Sequence, residues 1–364
     1  MDRPIRVLVV DDSAFMRKVL TDLLGQDPEL QVVGAARDGL DALDKVETLA
    51  PDVVTLDVEM PRLDGLGTLQ ELMKRRPLPV VMVSSLTRAG AEVTIRALAA
   101  GAVDFVAKPS GSISLDMAKV AGELVAKVKA ARRARPRVAE PPAASEAAAA
   151  EAAAAAQAAA ATVDEGRAPA SLRLLTQRVV VIGCSTGGPG ALHQVLPRLP
   201  ADLAAGVLVV QHMPPGFTRS LADRLNEISP LRVREARPGD RVESGLALVA
   251  PGGYHMIVGP DQTIRLSQDP PLHGVRPAVD KTLESVAPVF GRHTLAVIMT
   301  GMGYDGAKGV ATVRRAGGRA IAEDESTCVV YGMPKVVAET GNADRVVPLP
   351  AIAGAIADMV TTLG

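Results

Sequence analysis

The chain has 364 residues, 48% of them hydrophobic, with 40 Lys+Arg against 41 Asp+Glu. That length suits two domains of ordinary size, and a formal charge of −1 builds in no general attraction to nucleic acid or an anionic membrane. Two cysteines, no tryptophan and an opening Met1-Asp-Arg-Pro4 argue against a disulfide framework, an aromatic base-stacking platform and a secretion signal. We therefore expect a cytoplasmic protein with no nucleic-acid partner and no membrane insertion.

From the N terminus, short apolar or β-branched runs lie at Ile5–Val10, Gln31–Ala35, Val53–Asp57, Val80–Ser84 and Asp104–Ala107. They alternate with helical patterns near 14–25, 39–49, 65–75, 91–100 and 114–131. Such alternation predicts a doubly wound parallel sheet, whose ligands bind beyond the carboxyl ends of the strands. Asp11 and Asp12 follow the first strand, Asp57 ends the third and Lys108 follows the fifth. Three carboxylates gathered at one edge repel each other unless a hard divalent cation, Mg²⁺, neutralises them. A carboxylate beside Mg²⁺ and an ammonium group can attack a phosphoryl donor. Each acid alone reads as a solvated loop residue; together at successive strand ends they read as a phosphoryl-accepting site.

Near Arg137 the composition changes. Ala139 to Ala170 is mostly alanine with scattered Glu and Pro and no large apolar residues. Runs such as Glu146 to Ala161 favour a partly helical spacer, and simple low-complexity disorder is the equal alternative. The domains are accordingly drawn at 1–131 and 173–364, with an Ala-rich linker at 132–172.

After the linker the alternation returns. Arg178–Gly183, Gly206–Gln211, Leu295–Thr300 and Gly318–Ala322 predict parallel strands, and Ile352–Thr362 a final helix. Ala247–Val249, Tyr254–Val258 and Thr263–Leu266, punctuated by Gly and Pro, predict a small antiparallel insertion. The fold class is thus α/β with two doubly wound parallel-sheet domains. Gly183-Cys-Ser-Thr-Gly187 is a G-x-S-x-G elbow between a strand and a helix beginning near Gly190, which would lift Ser185 to the sheet edge. The bland alternative is a tight or phosphate-binding glycine turn. His212 follows the strand Gly206–Gln211 at the same edge and is the favoured base among five histidines. Asp305, in the glycine-rich Thr300-Gly-Met-Gly-Tyr-Asp-Gly306, follows another strand there and is the candidate orienting acid. Taken singly, His212 could be structural, Asp305 a helix cap, and the glycine run a phosphate cradle. The spacing lacks G-x-G-x-x-G and no Gly-Lys-Ser/Thr loop is present, which weakens a nucleotide-binding reading. Cys184 neighbours Ser185 and reads as a small buried residue.

Val-Asp-Asp-Ser13, Leu-Asp-Val-Glu-Met-Pro61, Val-Ser-Ser85 and Ala-Lys-Pro109 resemble the motifs of a two-component receiver domain, flavodoxin-like in fold. The resemblance implies phosphorylation of Asp57 by a sensor histidine kinase and Mg²⁺ held by Asp11, Asp12, Asp57 and the backbone carbonyl of Glu59. It also implies phosphate contacts from Ser84 and Lys108, with Phe105 as the switch aromatic. Ile-Gly-Cys-Ser-Thr-Gly-Gly-Pro189, Val-Gln-His-Met-Pro-Pro-Gly-Phe217, Arg-Pro-Ala-Val-Asp280 and Met-Thr-Gly-Met-Gly-Tyr-Asp-Gly306 resemble the Rossmann-like catalytic domain of the CheB-type chemotaxis methylesterases. That resemblance implies Ser185 as nucleophile, His212 as base, Asp305 as orienting acid and the backbone N–H of Met302 at the oxyanion. Its substrates would be methylated glutamates, and particular glutamines, on the cytoplasmic helices of chemoreceptors, hydrolysed without a metal. It further suggests a resting receiver that blocks the Ser185 edge until Asp57 is phosphorylated. Two other classes remain: a phosphorylation-dependent binding module without catalysis, and a receiver fused to a nucleotide-binding enzyme.

Overall fold

The computed structural model describes residues 3–108, 115–134 and 176–364; nearly all of the 132–172 linker lies outside the described residues. The first domain has strands β1 (Ile5–Val10), β2 (Leu30–Ala36), β3 (Val53–Asp57), β4 (Val80–Ser84) and β5 (Asp104–Ala107). They form one parallel sheet in the order β2-β1-β3-β4-β5. Its central strands are buried on both faces because helices cover both, which is why β3 and β4 read as unbroken apolar runs. The helices are α1 (Ala14–Gly25), α2 (Gly39–Leu49), α3 (Gly65–Arg75), α4 (Arg88–Ala99) and α5 (Leu115–Arg133). Four of them start at a side-chain cap: Ser13, Asp38, Asp64 and Thr87 each accept a backbone N–H from the first turn.

The second domain runs β6 (Val179–Cys184), α6 (Gly188–Val195), β7 (Gly206–Gln211), α7 (Phe217–Ile228), β8 (Arg232–Glu235) and β9 (Leu246–Val249). It continues with β10 (His255–Val258), β11 (Ile264–Ser267), α8 (Val279–Phe290), β12 (Thr294–Ile298), α9 (Ala307–Arg315), β13 (Arg319–Glu323), α10 (Met333–Glu339), β14 (Arg345–Val347) and α11 (Leu349–Thr361). Seven strands form a parallel sheet ordered β14-β13-β12-β6-β7-β9-β8, and β10 and β11 pair separately as an antiparallel ribbon. One expectation is corrected here. Ala247–Val249 does not belong to the antiparallel insertion: as part of β9 it is buried throughout and pairs in parallel with β7 and β8. Two further strands escaped prediction for a shared reason. β8 is charged and β14 short and exposed, so neither carries the apolar run of a central strand.

β6 is flanked by β7 on one side and β12 on the other, so the chain changes direction across the sheet at β6. Loops leaving a parallel sheet at such a point diverge and open a crevice beyond the strand ends. The two domains touch through α4, which packs against α6 and α7. The rings of Phe105 on β5 and Phe217 on α7 also stack between the domains, with centroids 4.4 Å apart and planes 17° apart. Gly65, at the start of α3, abuts the backbone of Asp57: a β-carbon there would collide with the Asp57 carbonyl oxygen. Gly65→Ala is therefore expected to destabilise the receiver by about 1–3 kcal/mol, measurable as a lower urea midpoint; an unchanged midpoint would contradict this packing.

Candidate active site

The receiver edge gathers four of the predicted charges. Lys108 Nζ lies 2.8 Å from Asp57 Oδ2 and 3.1 Å from Asp11 Oδ2. Asp11, Asp12 and Asp57 bring carboxylate oxygens within 4.8 Å of one another. Burial pushes the Asp57 carboxyl up to about 6; the Asp11 charge adds to this, and Lys108 works against it. Asp11 Oδ2 and Asp57 Oδ2 are buried and, among the described residues, carry no hydrogen bond beyond that ion pairing. An all-oxygen, triply acidic pocket with under-satisfied buried oxygens fits a hard divalent cation such as Mg²⁺. The backbone N–H of Glu59 donates to Asp57 Oδ1 at 3.4 Å, which places the Glu59 main chain beside the cluster. The Ser84 hydroxyl lies within hydrogen-bond distance of the Ser85 and Gly90 carbonyls, at 3.2 and 3.3 Å, and accepts from Thr94 at 2.8 Å, at the N-terminal end of α4. Phe105 is buried between Phe217 and Lys127, whose ammonium sits 5.1 Å from the ring centroid.

The second edge collects the other three residues. Ser185 follows β6, its N–H bonded to the Thr300 carbonyl at 3.0 Å, while Gly187 takes a left-handed φ of 79° to start α6. His212 follows β7, its N–H bonded to the Cys184 carbonyl at 3.1 Å. Asp305 lies between β12 and α9, almost fully buried. His212 Nε2 meets Asp305 Oδ2 at 2.8 Å. The same carboxylate accepts the N–H of Val279 at 2.7 Å and of Asp280 at 2.9 Å. Burial alone would raise the Asp305 pKa, but His212 and these two amides together hold it below the ordinary carboxylate value. An ionised carboxylate can only accept, so Nε2 carries a proton, and in the neutral imidazole the free lone pair is then on Nδ1. Ser185 Oγ has no hydrogen bond among the described residues, and the Ser185–His212 link is not closed in this state.

The backbone N–H groups of Thr186 and Met302 also have no partner among the described residues. Such free amides beside a nucleophile are the usual material of an oxyanion site. Cys184 is fully buried, and desolvation together with the Glu323 charge drives its thiol pKa far up. A thiol held protonated is no nucleophile. His193 is also set aside: burial depresses its pKa, and its Nδ1 faces the Pro189 carbonyl at 2.9 Å.

Asp280 was missed by inspection of the sequence. Its Oδ1 accepts the N–H groups of Gly306 and Gly309 at 3.0 and 2.7 Å, and its Oδ2 faces His273 Nε2 at 2.9 Å. It ties the Asp305 loop to the start of α8, although the only signal in the sequence was one acid inside Arg-Pro-Ala-Val-Asp280.

The two sheets and the residues at their edges define a class: a receiver domain joined to a hydrolase domain. Comparison with known proteins agrees. The CheB methylesterase model matches residues 180–356, and the response regulator receiver domain model matches residues 7–118. A protein-glutamate methylesterase/protein-glutamine glutaminase of Symbiobacterium thermophilum is 66% identical over 363 residues, covering 98% of this chain and 97% of that one. A protein of the same name from Pyrococcus horikoshii is 49% identical over 97% of this chain and 92% of its own. The crystal structure of the Thermotoga maritima CheB methylesterase catalytic domain covers 50% of this chain and 98% of that one at 47% identity, with a TM-score of 0.49. The chain belongs to the CheB methylesterase family of receiver-bearing protein-glutamate methylesterases/protein-glutamine glutaminases. Among the described residues no helix is long and apolar enough to cross a membrane.

Asp305→Ala leaves the Val279 and Asp280 amides unpaired in a buried site. The expected cost is about 1–3 kcal/mol of stability, read as a drop in melting temperature separate from any effect on turnover. A melting temperature equal to wild type would show that those amides find other partners.

Proposed function

We propose that this protein is a phosphorylation-activated protein-glutamate methylesterase and protein-glutamine deamidase acting on the cytoplasmic helices of chemoreceptors. Ser185 is its nucleophile, His212 its base and Asp305 its orienting acid. The observation that carries this reading is the 2.8 Å pairing of His212 with Asp305 at the sheet edge where β6 delivers Ser185.

In the first half-reaction Nδ1 of His212 takes the Ser185 proton as Oγ attacks the γ-carbonyl of a methylated glutamate. The oxyanion is received by the N–H of Met302, with that of Thr186 as a second donor. As the carbonyl re-forms, the methoxy group leaves with the proton held by His212, giving methanol and a glutamyl-serine ester. In the second half-reaction His212 deprotonates water, which attacks the ester. Ser185 departs with that proton and the receptor carboxylate is restored. With a glutamine substrate, ammonia replaces methanol as the leaving group. Ester hydrolysis needs no metal in this scheme.

The receiver gates this site. Asp57 accepts a phosphoryl group from a sensor histidine kinase, and Lys108 contacts the bound phosphoryl oxygens. When bound, Mg²⁺ neutralises the charges drawn together there; Asp11, Asp12, Asp57 and the Glu59 carbonyl are the groups that would hold it. For Ser84 to reach the phosphoryl group it must leave Gly90 and Thr94, which disturbs the start of α4, the helix packed on α6 and α7. Movement of Phe105 toward the space Ser84 vacates removes its stack on Phe217. Val329 adds a second contact: it packs on the receiver and crowds Gly187 of the elbow. Phosphorylation therefore loosens the face that restrains the Ser185 edge, provided the two packings differ by only a few kcal/mol.

The test is methanol release from methylated receptor by the intact protein. A phosphodonor with Mg²⁺ should raise the rate in wild type and not in Asp57→Ala, and Ser185→Ala should release none above background. Equal release by Ser185→Ala and wild type would remove Ser185 from the mechanism. A separate expectation concerns the stack, worth about 0.5–1.5 kcal/mol beyond area burial. Phe217→Ala should raise the unphosphorylated rate about 2- to 10-fold and shrink the stimulation; a lowered basal rate would refute restraint through this contact.

A further inference from the structure

Immediately before His212, at the end of an otherwise apolar strand, stands a residue that the reaction scheme does not use. Gln211 is 2% exposed, and its carboxamide is enclosed by the two loops that carry the nucleophile and the base. Its Nε2 donates to the Ser185 carbonyl at 3.0 Å and to the His212 carbonyl at 3.1 Å. Its Oε1 accepts the Cys184 thiol at 3.1 Å. These three contacts use both amide protons and one oxygen lone pair, and they fix which end of the amide points where. The opposite orientation would set Oε1 against two carbonyl oxygens. Gly188 makes room for the group, since a β-carbon there would collide with Gln211 Oε1.

We propose that Gln211 is a positioning residue for the ester hydrolysis, a clamp that holds the Ser185 and His212 main chains in one relative geometry. Cys184 serves it: a thiol that burial keeps protonated is a permanent donor to Oε1. The proposal rests on the Ser185–His212–Asp305 reading above. Its physical content is that two residues on separate strand ends share no direct side-chain hydrogen bond in this state. A common polar anchor therefore sets how far apart their reactive atoms start, and a displacement near 1 Å costs about 10²-fold in rate.

The experiment uses the full-length protein activated by phosphodonor and Mg²⁺, with methanol release from methylated receptor fragment as substrate assay. Active sites are counted by labelling Ser185 with a fluorophosphonate and locating the adduct by mass spectrometry. Gln211→Met keeps the volume and removes all three hydrogen bonds; Gln211→Glu keeps the shape and removes the donors. Both should lower kcat per labelled site by about 10²-fold, with KM within twofold of wild type. Cys184→Ser retains a donor and should keep kcat, whereas Cys184→Ala should lose part of it. A Gln211→Met enzyme with wild-type kcat per labelled site would overturn the proposal, even if less of it were folded, because Gln211 would then be a packing residue. A parallel rise in KM would overturn it too, by pointing to substrate contact. Ser185-dependent turnover with Gln211 variants unaffected defeats this proposal alone; turnover by Ser185→Ala defeats the catalytic reading and this proposal with it.

Discussion

Three N–H groups converge on the Asp305 carboxylate, two from the first residues of α8 and one from His212. The chemistry assigned to the second domain depends on that convergence. A buried carboxylate without donors would take up a proton and lose its hold on the imidazole. Given three donors it remains an anion, and its charge selects the His212 tautomer with a free Nδ1. The backbone of α8 can serve in this way because Asp280 anchors the loop from the other side through Gly306 and Gly309. The imidazole is thus oriented by a carboxylate that main-chain amides hold at the edge of the parallel sheet.

The receiver is built on the same rule with a different chemical result. Its strand ends also bring charges together, but three acids and one lysine there suit a cation and, in the proposed function, a phosphoryl group instead of a proton relay. In the proposed gating the two edges communicate through apolar contact. The ring stack, the Val329 contact and one helix packed on two others supply the apolar face on which the proposed release depends, whereas interlocked salt bridges would resist it. Phenylalanine at position 105 has no hydroxyl, so in the proposed switch it acts through packing alone.

Much of this was legible in the sequence, for identifiable physical reasons. Strands buried along most of their length read as apolar runs, so the central β1, β3, β4 and β7 and the covered edge strand β5 stood out with their observed boundaries. Candidate site residues at strand ends could be named because a charged or glycine-rich segment directly after an apolar run has few structural excuses. β8 and β14 were invisible because edge strands are short, charged or exposed. β9 was seen and misassigned: a four-residue run between glycines carries no information about its partner strand. The roles of Asp280 and Gln211 lay beyond reach for another reason. Asp280 reaches Gly306 and Gly309, and Gln211 reaches Cys184 and Ser185, all more than 20 residues away, and no spacing rule encodes a contact that only the tertiary fold creates.

The central claim is that Ser185, with a proton path through His212, forms the covalent intermediate. Rapid acid quench of the phosphodonor-activated protein with methylated receptor fragment, followed by peptide mass spectrometry, tests it most directly. The account predicts a glutamyl ester on Ser185 that appears before steady state and is absent in His212→Gln. Turnover with no adduct at Ser185, or with the adduct on Cys184, would contradict it.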